Sequence, residues 1–275
     1  MKNLISYLAL VLLLASCEEQ TDWNVQTGSN DFIIVDGIIT NELKVQSITI
    51  SKPVAFINDP AQPVSNATVL VSSNQSTYNF HESPSRPGTY LSNNAFTGVR
   101  NKTYSLLITV GNKVYSSKAI LAPPVLLSEF DSVRYQLNAD DSSYRIVWVA
   151  NPYRPVKSAM YEILLDWSNA PGYENVDSDL CKAKLHFYTL PTLDINEVFA
   201  PPSQDISFPK GTTVVERRYS LTDDHATFIR ALLLETAWQG GLFNTASANI
   251  TTNLSQGAVG FFGACGVVEK TEVVR

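Results

Sequence analysis

Residues 103–117 read TYSLLITVGNKVYSS, and this stretch decides the fold class of the chain. Strict alternation places four side chains on one face of the first run: Tyr104, Leu106, Ile108 and Val110. This period of two is that of a half-buried strand. Gly111-Asn112 separates the run from KVYSS, and both residues tolerate the positive φ that a two-residue hairpin turn requires. The stretch therefore predicts two antiparallel strands joined by a tight turn.

The same pattern recurs on the N-terminal side of this hairpin. FIIVDGIIT (residues 32–40), ATVLVSS (67–73) and TYNF (77–80) are short runs rich in β-branched or aromatic residues. Short strands at regular spacing with turns between them predict a β-sandwich of the immunoglobulin kind over residues 31–122. Pro123-Pro124 cannot continue a sheet, so it predicts a stiff joint before a second domain.

The second domain is predicted over residues 125–275. Its strand YEILLDW (residues 161–167) alternates, and a middle strand that carries a tryptophan, with tyrosines nearby, resembles a fibronectin type III module. Scattered prolines predict a long insertion over 168–211. Thr222 as N-cap, followed by two aspartates and a wide apolar stripe, predicts a packed helix over 222–239. We therefore expect a mainly β protein of two sandwich domains and one helix.

The N-terminus carries a short apolar run after Lys2, over residues 4–15. A spanning helix needs about 20 residues, so the run predicts a cleaved secretory signal over residues 1–16. Leu14-Ala15-Ser16-Cys17 matches the lipobox of bacterial lipoproteins, in which the cysteine carries acyl chains that anchor the protein. The alternative is an ordinary signal with an incidental cysteine.

Residues 17–30 are polar and predict a tether behind lipidated Cys17. Glu18-Glu19 directly follow the cysteine and resemble an export signal of Bacteroidetes for the outer face of the outer membrane. The alternative is a solvated spacer. We expect a lipid-anchored outer-membrane protein.

The charge balance excludes one class of partner. The chain has 20 Lys and Arg against 26 Asp and Glu, a net charge of −6. Binding to nucleic acid requires a clustered basic face, so no nucleic-acid partner is expected. Of the cysteines after the lipidated one, Cys181 and Cys265 form either one disulfide or two separate buried thiols.

Several motifs appear in the order and spacing of a known family: FIIVDGIIT at residues 32–40, PVSNATVLVSS at 63–73, Gly88-Thr89-Tyr90 and GAVGFFGA at 257–264. The chain resembles a family of Bacteroidetes lipoproteins classed as a domain of unknown function (DUF4249). The resemblance implies a gene often placed beside a TonB-dependent outer-membrane receptor. It implies no catalytic residue, because the family has none assigned.

The sequence lacks the usual signatures of catalysis. It has no G-x-S-x-G elbow, C-x-x-C, H-E-x-x-H, calcium loop, phosphate loop or dinucleotide fingerprint. The three histidines, in separate segments, are interpreted as surface or capping residues: His81, His186 and His225. We expect no catalytic residue, cofactor or metal. An enzyme would require a cleft where Asp166, Glu174 and Asp177 converge.

Aromatic residues of the second domain are the remaining binding candidates. Tyr153 and Tyr173 lie beside prolines in loops, and Trp167 ends a strand. Aromatic faces stack on sugars and peptides, although the alternation around Trp167 also fits core packing. The expected role is a non-catalytic accessory of a TonB-dependent nutrient receptor. The alternatives are a surface glycan-binding lipoprotein and a structural or adhesive envelope protein.

Overall fold

The predicted hairpin lies within a sheet of nine strands. The strands are β1 (Ile33–Thr40), β2 (Ser47–Lys52), β3 (Gln62–Pro63), β4 (Thr68–Ser73), β5 (Ser76–Ser83), β6 (Arg86–Ser92), β7 (Thr103–Val110), β8 (Lys113–Ile120) and β15 (Ala258–Cys265). At the β7–β8 turn Gly111 has a φ of 58° and Asn112 has no positive φ, as expected of a type II′ turn. The hairpin prediction is confirmed.

The computed structural model describes residues 32–54, 59–74, 76–125, 134–137, 143–147, 158–190, 206–236 and 250–275. The predicted signal, Cys17 and the tether lie outside these residues, as does Tyr153. No helix within the described segments is long and apolar enough to cross a membrane. Asp31–Arg275 form one compact unit.

The large sheet runs in the order β15-β1-β2-β6-β5-β4-β7-β8, with β3 paired to β2. It curls until its two end strands approach each other. The backbone N–H of Ala122 donates to the carbonyl of Ala264 (3.1 Å), and the N–H of Gly266 donates to that of Ala122 (2.8 Å). The sheet is therefore partly barrel-like and surrounds one apolar core, in which Ile39, Leu106 and Phe262 are fully buried.

This arrangement differs from the sandwich predicted for residues 31–122, which is not confirmed. Ala258–Cys265, expected in the second domain, forms β15 and pairs in parallel with β1. The alternation of inward and outward side chains is the same in a sandwich and in a curled sheet. It says which face of a strand is buried and not which strand lies beside it, so the closure could not be predicted from the pattern.

Two smaller sheets pack on a second core. The three-stranded sheet has the order β13-β10-β9, with β9 (Arg134–Leu137), β10 (Tyr144–Val147) and β13 (Ser207–Phe208). The four-stranded sheet has the order β12-β11-β14-β16, with β11 (Ala159–Asp166), β12 (Lys182–Thr189), β14 (Thr213–Ser220) and β16 (Val267–Val273). Tyr161, Ile163 and Phe208 are buried between them. The segment predicted as an insertion thus supplies two sheet strands, β12 and β13.

The helix α1 (Asp223–Thr236) begins one residue after the predicted N-cap and lies within the predicted range. The hydroxyl of Thr222 accepts a hydrogen bond from the N–H of His225 (3.4 Å), which caps the helix. Ala226 and Ile229 of α1 pack on a third apolar cluster with Tyr219 and Cys265. This cluster joins the helix, the large sheet and the four-stranded sheet.

The last two strands, β15 and β16, form a C-terminal ribbon that belongs to both the large sheet and the four-stranded sheet. β15 ends at Cys265, and after Gly266 the chain continues directly as β16 of the four-stranded sheet. A Cβ on Gly266 would lie 2.3 Å from the backbone nitrogen of Pro124. The predicted proline joint therefore passes directly against this crossover, and only a glycine leaves room for it.

Candidate functional site

A row of polar side chains crosses the outer face of the large sheet. Strand register places Thr77 opposite Ser72, Ser72 opposite Ser105, and Ser105 opposite Lys118. We call Thr77, Ser72, Ser105 and Lys118 the hydroxyl row. The strands are spaced about 4.8 Å apart, so the row spans roughly 14 Å. Its members point outward because the alternating neighbours, such as Val71 and Leu106, are buried inside the sheet.

An apolar ledge lies beside the hydroxyl row. Leu70 of β4 is opposite Leu107 of β7, and Leu107 is opposite Ser116 of β8. Leu107 is 40% exposed. The row and the ledge line an open trough of about 750 Å³. The combination of apolar surface and a few convergent polar groups is typical of ligand sites.

Residues 253–255 form the rim of the trough beside β8 and are held by several hydrogen bonds. The N–H of Ser116 donates to the hydroxyl of Ser255 (2.9 Å), and the N–H of Ser255 donates to the carbonyl of Ser116 (2.8 Å). The amide of Asn253 donates to the carbonyl of Phe262 (2.8 Å) and accepts from its N–H (3.1 Å). These bonds fix the rim to both end strands of the large sheet.

The trough offers polar groups that can form hydrogen bonds and apolar surface that can pack against a ligand. Its lining contains hydroxyls, an amide, one ammonium and leucine side chains, without a carboxylate or an imidazole. Within the described part of the chain, the side chains of the hydroxyl row enter no hydrogen bond or ion pair. They are therefore available to a ligand.

A second polar cluster lies on the four-stranded sheet. Cross-strand register places His186 opposite Glu162, Glu162 opposite Arg217, and Arg217 opposite Glu269. We call these four residues, together with the three side chains described next, the charged row. Glu162 is only 7% exposed. Arg217 donates to Glu162 (3.1 Å), and its Nε lies 3.4 Å from Glu269 Oε2.

Three further side chains complete the charged row. Lys184 forms an ion pair with Glu162. Tyr219 donates its hydroxyl hydrogen to Glu162 (3.1 Å), and the guanidinium carbon of Arg217 lies 5.4 Å from the centre of the Tyr219 ring. Glu42 reaches in from the loop after β1 and pairs with Arg217. The large sheet and the four-stranded sheet are thus joined by an ion pair.

Gln46 positions the loop that carries Glu42. This side chain is fully buried. Its amide oxygen accepts from the N–H of Thr40 (3.1 Å), and its amide nitrogen donates to the carbonyls of Glu42 (3.2 Å) and Phe96 (3.1 Å). The loop is held at both ends, so Glu42 is presented to Arg217 with little freedom.

The charges of this row stabilise one another. Burial acts to raise the pKa of Glu162, but hydrogen bonding and charge from Lys184, with Tyr219 and Arg217, outweigh it and lower that pKa below 4.5. Burial is also the main cause that lowers the pKa of His186, with the charge of Lys184 adding to it. With its donors committed to Glu42 and Glu162, Arg217 is better suited to joining strands than to binding a ligand.

A buried thiol and a buried imidazole meet behind β15. The sulfur of Cys265 lies 3.7 Å from Nδ1 of His225, and the His225 ring stacks on Phe261 with centres 4.5 Å apart. Burial raises the pKa of Cys265 to about 12 and lowers that of His225 to about 4. Both groups are neutral at neutral pH, so the pair lacks the thiolate that a nucleophile requires. The interpretation of His225 as a surface residue was wrong, although it lies in the capped first turn.

Of the aromatic candidates, Trp167 and Tyr173 lie in described residues. Trp167 is half-buried and packs against the second core. Its carbonyl accepts from the N–H of Ala170 (2.9 Å), whose own carbonyl accepts from the N–H of Tyr173 (3.1 Å). Tyr173 is half-buried in this loop. The two aromatics therefore share one set of consecutive turns, away from the trough lining.

The three carboxylates proposed for an enzyme cleft each form a local turn instead. Asp166 accepts from the N–H of Ser168 (3.0 Å), Glu174 from that of Gly172 (3.1 Å), and Asp177 from that of Asp179 (3.0 Å). Such bonds within two residues fix loop geometry. In the described segments no group of three or more His, Cys, Asp and Glu could hold a metal ion.

Cys181 and Cys265 are both free and buried. Cys181 precedes Lys182, which pairs with Asp166 at the C-terminal end of β11. Cys265 packs with Leu221, whose neighbour Ser220 pairs with Ala159 at the other end of β11. Eight residues of strand separate these ends by roughly 23 Å, whereas a disulfide needs Cα atoms within about 7 Å. The two thiols therefore do not form a bond in this structure.

A comparison of the sequence with known protein families finds one match that covers most of the chain. The family described as a domain of unknown function (DUF4249) matches residues 18–271. The chain belongs to the DUF4249 family. The prediction that the chain carries this domain of unknown function is therefore confirmed. A comparison of this DUF4249 chain with curated proteins finds no match.

Sequence reasoning missed both rows of this DUF4249 protein. Alternation already places Ser105 and Leu107 on the outward face of β7 and Glu162 opposite the inward face of β11. The available signal was an outward face rich in serine and threonine on β4, β5 and β7. Joining these faces into a row requires the register between strands, which no single strand contains.

Proposed function

We propose that this chain is a cell-envelope lipoprotein that acts as a non-catalytic accessory or binding component of a TonB-dependent nutrient receptor. The lipobox ending at Cys17 supports the anchor, and the family resemblance supports the receptor partner. The observation that carries the binding role is the open trough, because the side chains of its hydroxyl row have no hydrogen-bond partner among the described residues.

The proposal includes an outer-membrane location with exposure on the outer face. Glu18-Glu19 immediately after Cys17 support this location. Two or more acyl chains hold a protein stably on a bilayer, while one holds it marginally. The polar tether would then keep the β-rich body in water.

We also propose that the two smaller sheets form a fibronectin III-like sandwich. Their support is the shared core, in which Phe208 of one sheet packs with Ile163 and Leu165 of the other. The large sheet, closed by β15, has a different architecture. We therefore propose a sandwich for the two smaller sheets around the second core and not for the large sheet.

The anchor is tested by metabolic labelling with a radioactive fatty acid. We expect label on the wild-type protein and none on Cys17→Ser. Label that persists in Cys17→Ser, or a wild-type chain that remains unlabelled, would contradict the anchor. The matched control is Cys181→Ser, which should remain labelled because its thiol is buried in the folded body.

The partner is tested by cross-linking intact cells and purifying the protein from solubilised outer membranes. We expect a β-barrel receptor to be recovered with the wild-type chain and to be lost with Cys17→Ser. Recovery of no barrel protein would exclude the receptor role. Digestion of intact cells by added protease separates the outer face from the periplasmic face.

The second candidate is a surface glycan-binding lipoprotein. It is favoured by the trough itself, since hydroxyl side chains next to an apolar ledge match the hydroxyls and C–H faces of sugars. Changing Tyr173 to Ala tests whether the aromatic loop takes part. Binding that is insensitive to Tyr173→Ala but lost with changes in the hydroxyl row would assign recognition to the trough.

A further inference from the structure

We propose that the trough on the large sheet binds an anionic saccharide, with Lys118 pairing with the carboxylate and the other members of the hydroxyl row binding the sugar hydroxyls. This inference deepens the proposed binding role and rests on it. It concerns the ligand class, which neither the anchor nor the receptor partner determines.

The positive charge of Lys118 in the trough favours an anionic ligand. Lys118 is exposed, and in the described residues it has no ion-pair partner. The lining contains no carboxylate, although the chain as a whole carries a net charge of −6. A single uncompensated cation in this setting favours an anionic group on the ligand.

The second step is the arrangement of hydroxyls. Thr77, Ser72 and Ser105 form a line that ends at Lys118. Each hydroxyl can donate one hydrogen bond and accept two. A ligand lying along this line meets alternating donors and acceptors over roughly 14 Å, and an ammonium at one end. A polyhydroxylated chain with a carboxylate satisfies both parts.

The third step excludes an extended peptide as the favoured ligand. Peptides that add to sheets use unpaired backbone groups at an edge. Below the hydroxyl row, β4 lies between β5 and β7, and β7 lies between β4 and β8. Their backbone groups are already paired, so recognition must use side chains. The ledge of Leu70 and Leu107 then supplies the apolar contact for the C–H face of a sugar ring.

The fourth step explains why the anionic group is needed. The trough lining includes no aromatic side chain. Stacking on an aromatic face, a common source of affinity for neutral sugars, is therefore missing in this trough. A charge-assisted hydrogen bond is roughly twice as strong as a neutral one, which makes Lys118 the group expected to dominate affinity.

The test uses the full lipidated chain in detergent micelles and isothermal titration calorimetry. The probes are trigalacturonic acid, the neutral trigalactose of the same linkage, and an acidic Gly-Glu repeat peptide. We expect trigalacturonic acid to bind at least about tenfold more tightly than trigalactose, which is the effect of one charge-assisted hydrogen bond. Its affinity should fall as salt is added.

The variants separate the trough from general charge. Lys118→Gln should weaken binding of trigalacturonic acid by about tenfold or more, and the double change Ser72→Ala with Ser105→Ala should weaken both saccharides. The matched control is Lys113→Gln, an exposed lysine on the same strand outside the trough. It should leave the affinity unchanged.

Four results would overturn the inference: no saccharide binding, equal affinity for the neutral and acidic sugars, tighter binding of the acidic peptide, or an equal loss in Lys113→Gln. Each is independent of the receptor experiment. Recovery of a receptor without saccharide binding leaves the proposed function intact and removes this inference. Saccharide binding without recovery of a receptor leaves this inference intact and removes the proposed receptor role.

Discussion

The interior of the large sheet and the charged row of the four-stranded sheet hold the fold together in different ways. The interior is filled with apolar side chains such as Ile39, Leu106 and Phe262. The charged row places Glu162 and Arg217 side by side with both largely removed from water. Apolar burial is proportional to area and has no direction, whereas an ion pair depends on position and on desolvation. We therefore expect the interior to supply most of the stability and the charged row to favour one strand register.

Phe262 gives the most direct test of the apolar interior. This side chain is fully buried in the large sheet, and Phe262→Ala should lower the free energy of unfolding by about 3–5 kcal/mol through lost burial and a residual cavity. Urea unfolding followed by circular dichroism measures the loss. Leu107→Ala, on the outer face of the same sheet, is the control and should cost about 0.5 kcal/mol. Equal losses would show that the sheet has no distinct interior.

The second test is the close approach of β15 to β1. Gly260 has a φ of 97°, and a Cβ there would lie 2.2 Å from the carbonyl oxygen of Val35. Gly260→Ala should cost about 2–3 kcal/mol in urea unfolding, because the backbone must move as well as adopt a strained φ. Gly172 has a similar φ of 90° with nothing within 4 Å. Gly172→Ala should cost about 1 kcal/mol, which isolates the conformational part.

The charged row is tested by Arg217→Leu, which leaves Glu162 and Glu42 without their shared cation. Removing one member of a buried pair costs about 3–5 kcal/mol. Because the Arg217 side chain is 17% exposed, we expect a smaller loss of about 2 kcal/mol. The double variant Arg217→Leu with Glu162→Leu should recover much of it in urea unfolding. A double variant that is less stable than Arg217→Leu would show that Glu162 stabilises the fold through Lys184 and Tyr219 even without Arg217.

The pH dependence of the free energy of unfolding tests the charged row separately from the apolar interior. The pKa of Glu162 is lower in the folded protein than its usual value of 4.5. Its contribution to stability is therefore present above that value and is lost as the pH falls through the folded pKa. Glu162→Gln should flatten the decline of the free energy of unfolding between about pH 6 and about pH 3.

The smallest effect is expected from reduction. Because Cys181 and Cys265 are free and at opposite ends of β11, dithiothreitol should leave the thermal midpoint unchanged. Mass spectrometry after alkylation of the unfolded protein should find both thiols modified without prior reduction. A lower midpoint in dithiothreitol, with protected thiols, would show a bond that this structure does not contain.

The strands of the hairpin and the start of the helix could be predicted from sequence for local reasons. Alternation in TYSLLITV, the Gly111-Asn112 turn and the cap at Thr222 involve residues close in the chain. The same logic correctly separated inward Leu106 from outward Leu107. It could not place β15 beside β1, because more than two hundred residues lie between partners such as Val35 and Gly260.

Most of the candidate site could not be predicted from the sequence. Serine and threonine at alternate positions identify an outward face, but the hydroxyl row exists only where four strands align. The charged row likewise combines Glu42 and Arg217, which the chain separates and the fold joins. His225 was expected to be a surface or capping residue; it lies in the capped first turn, but its side chain is buried. A helix position shows that a side chain can face a sheet, not which side chains of that sheet meet it.

Local patterns in the sequence are sufficient to predict short alternating strands, a tight hairpin and a capped helix. These follow from backbone conformation and from the period of apolar residues, which act over a few residues. Only the tertiary structure decided which strands are neighbours, that the C-terminal ribbon closes the large sheet, and that hydroxyls and charges align into rows. Pairing between distant strands depends on the free energy of the whole packed chain, which no local pattern contains.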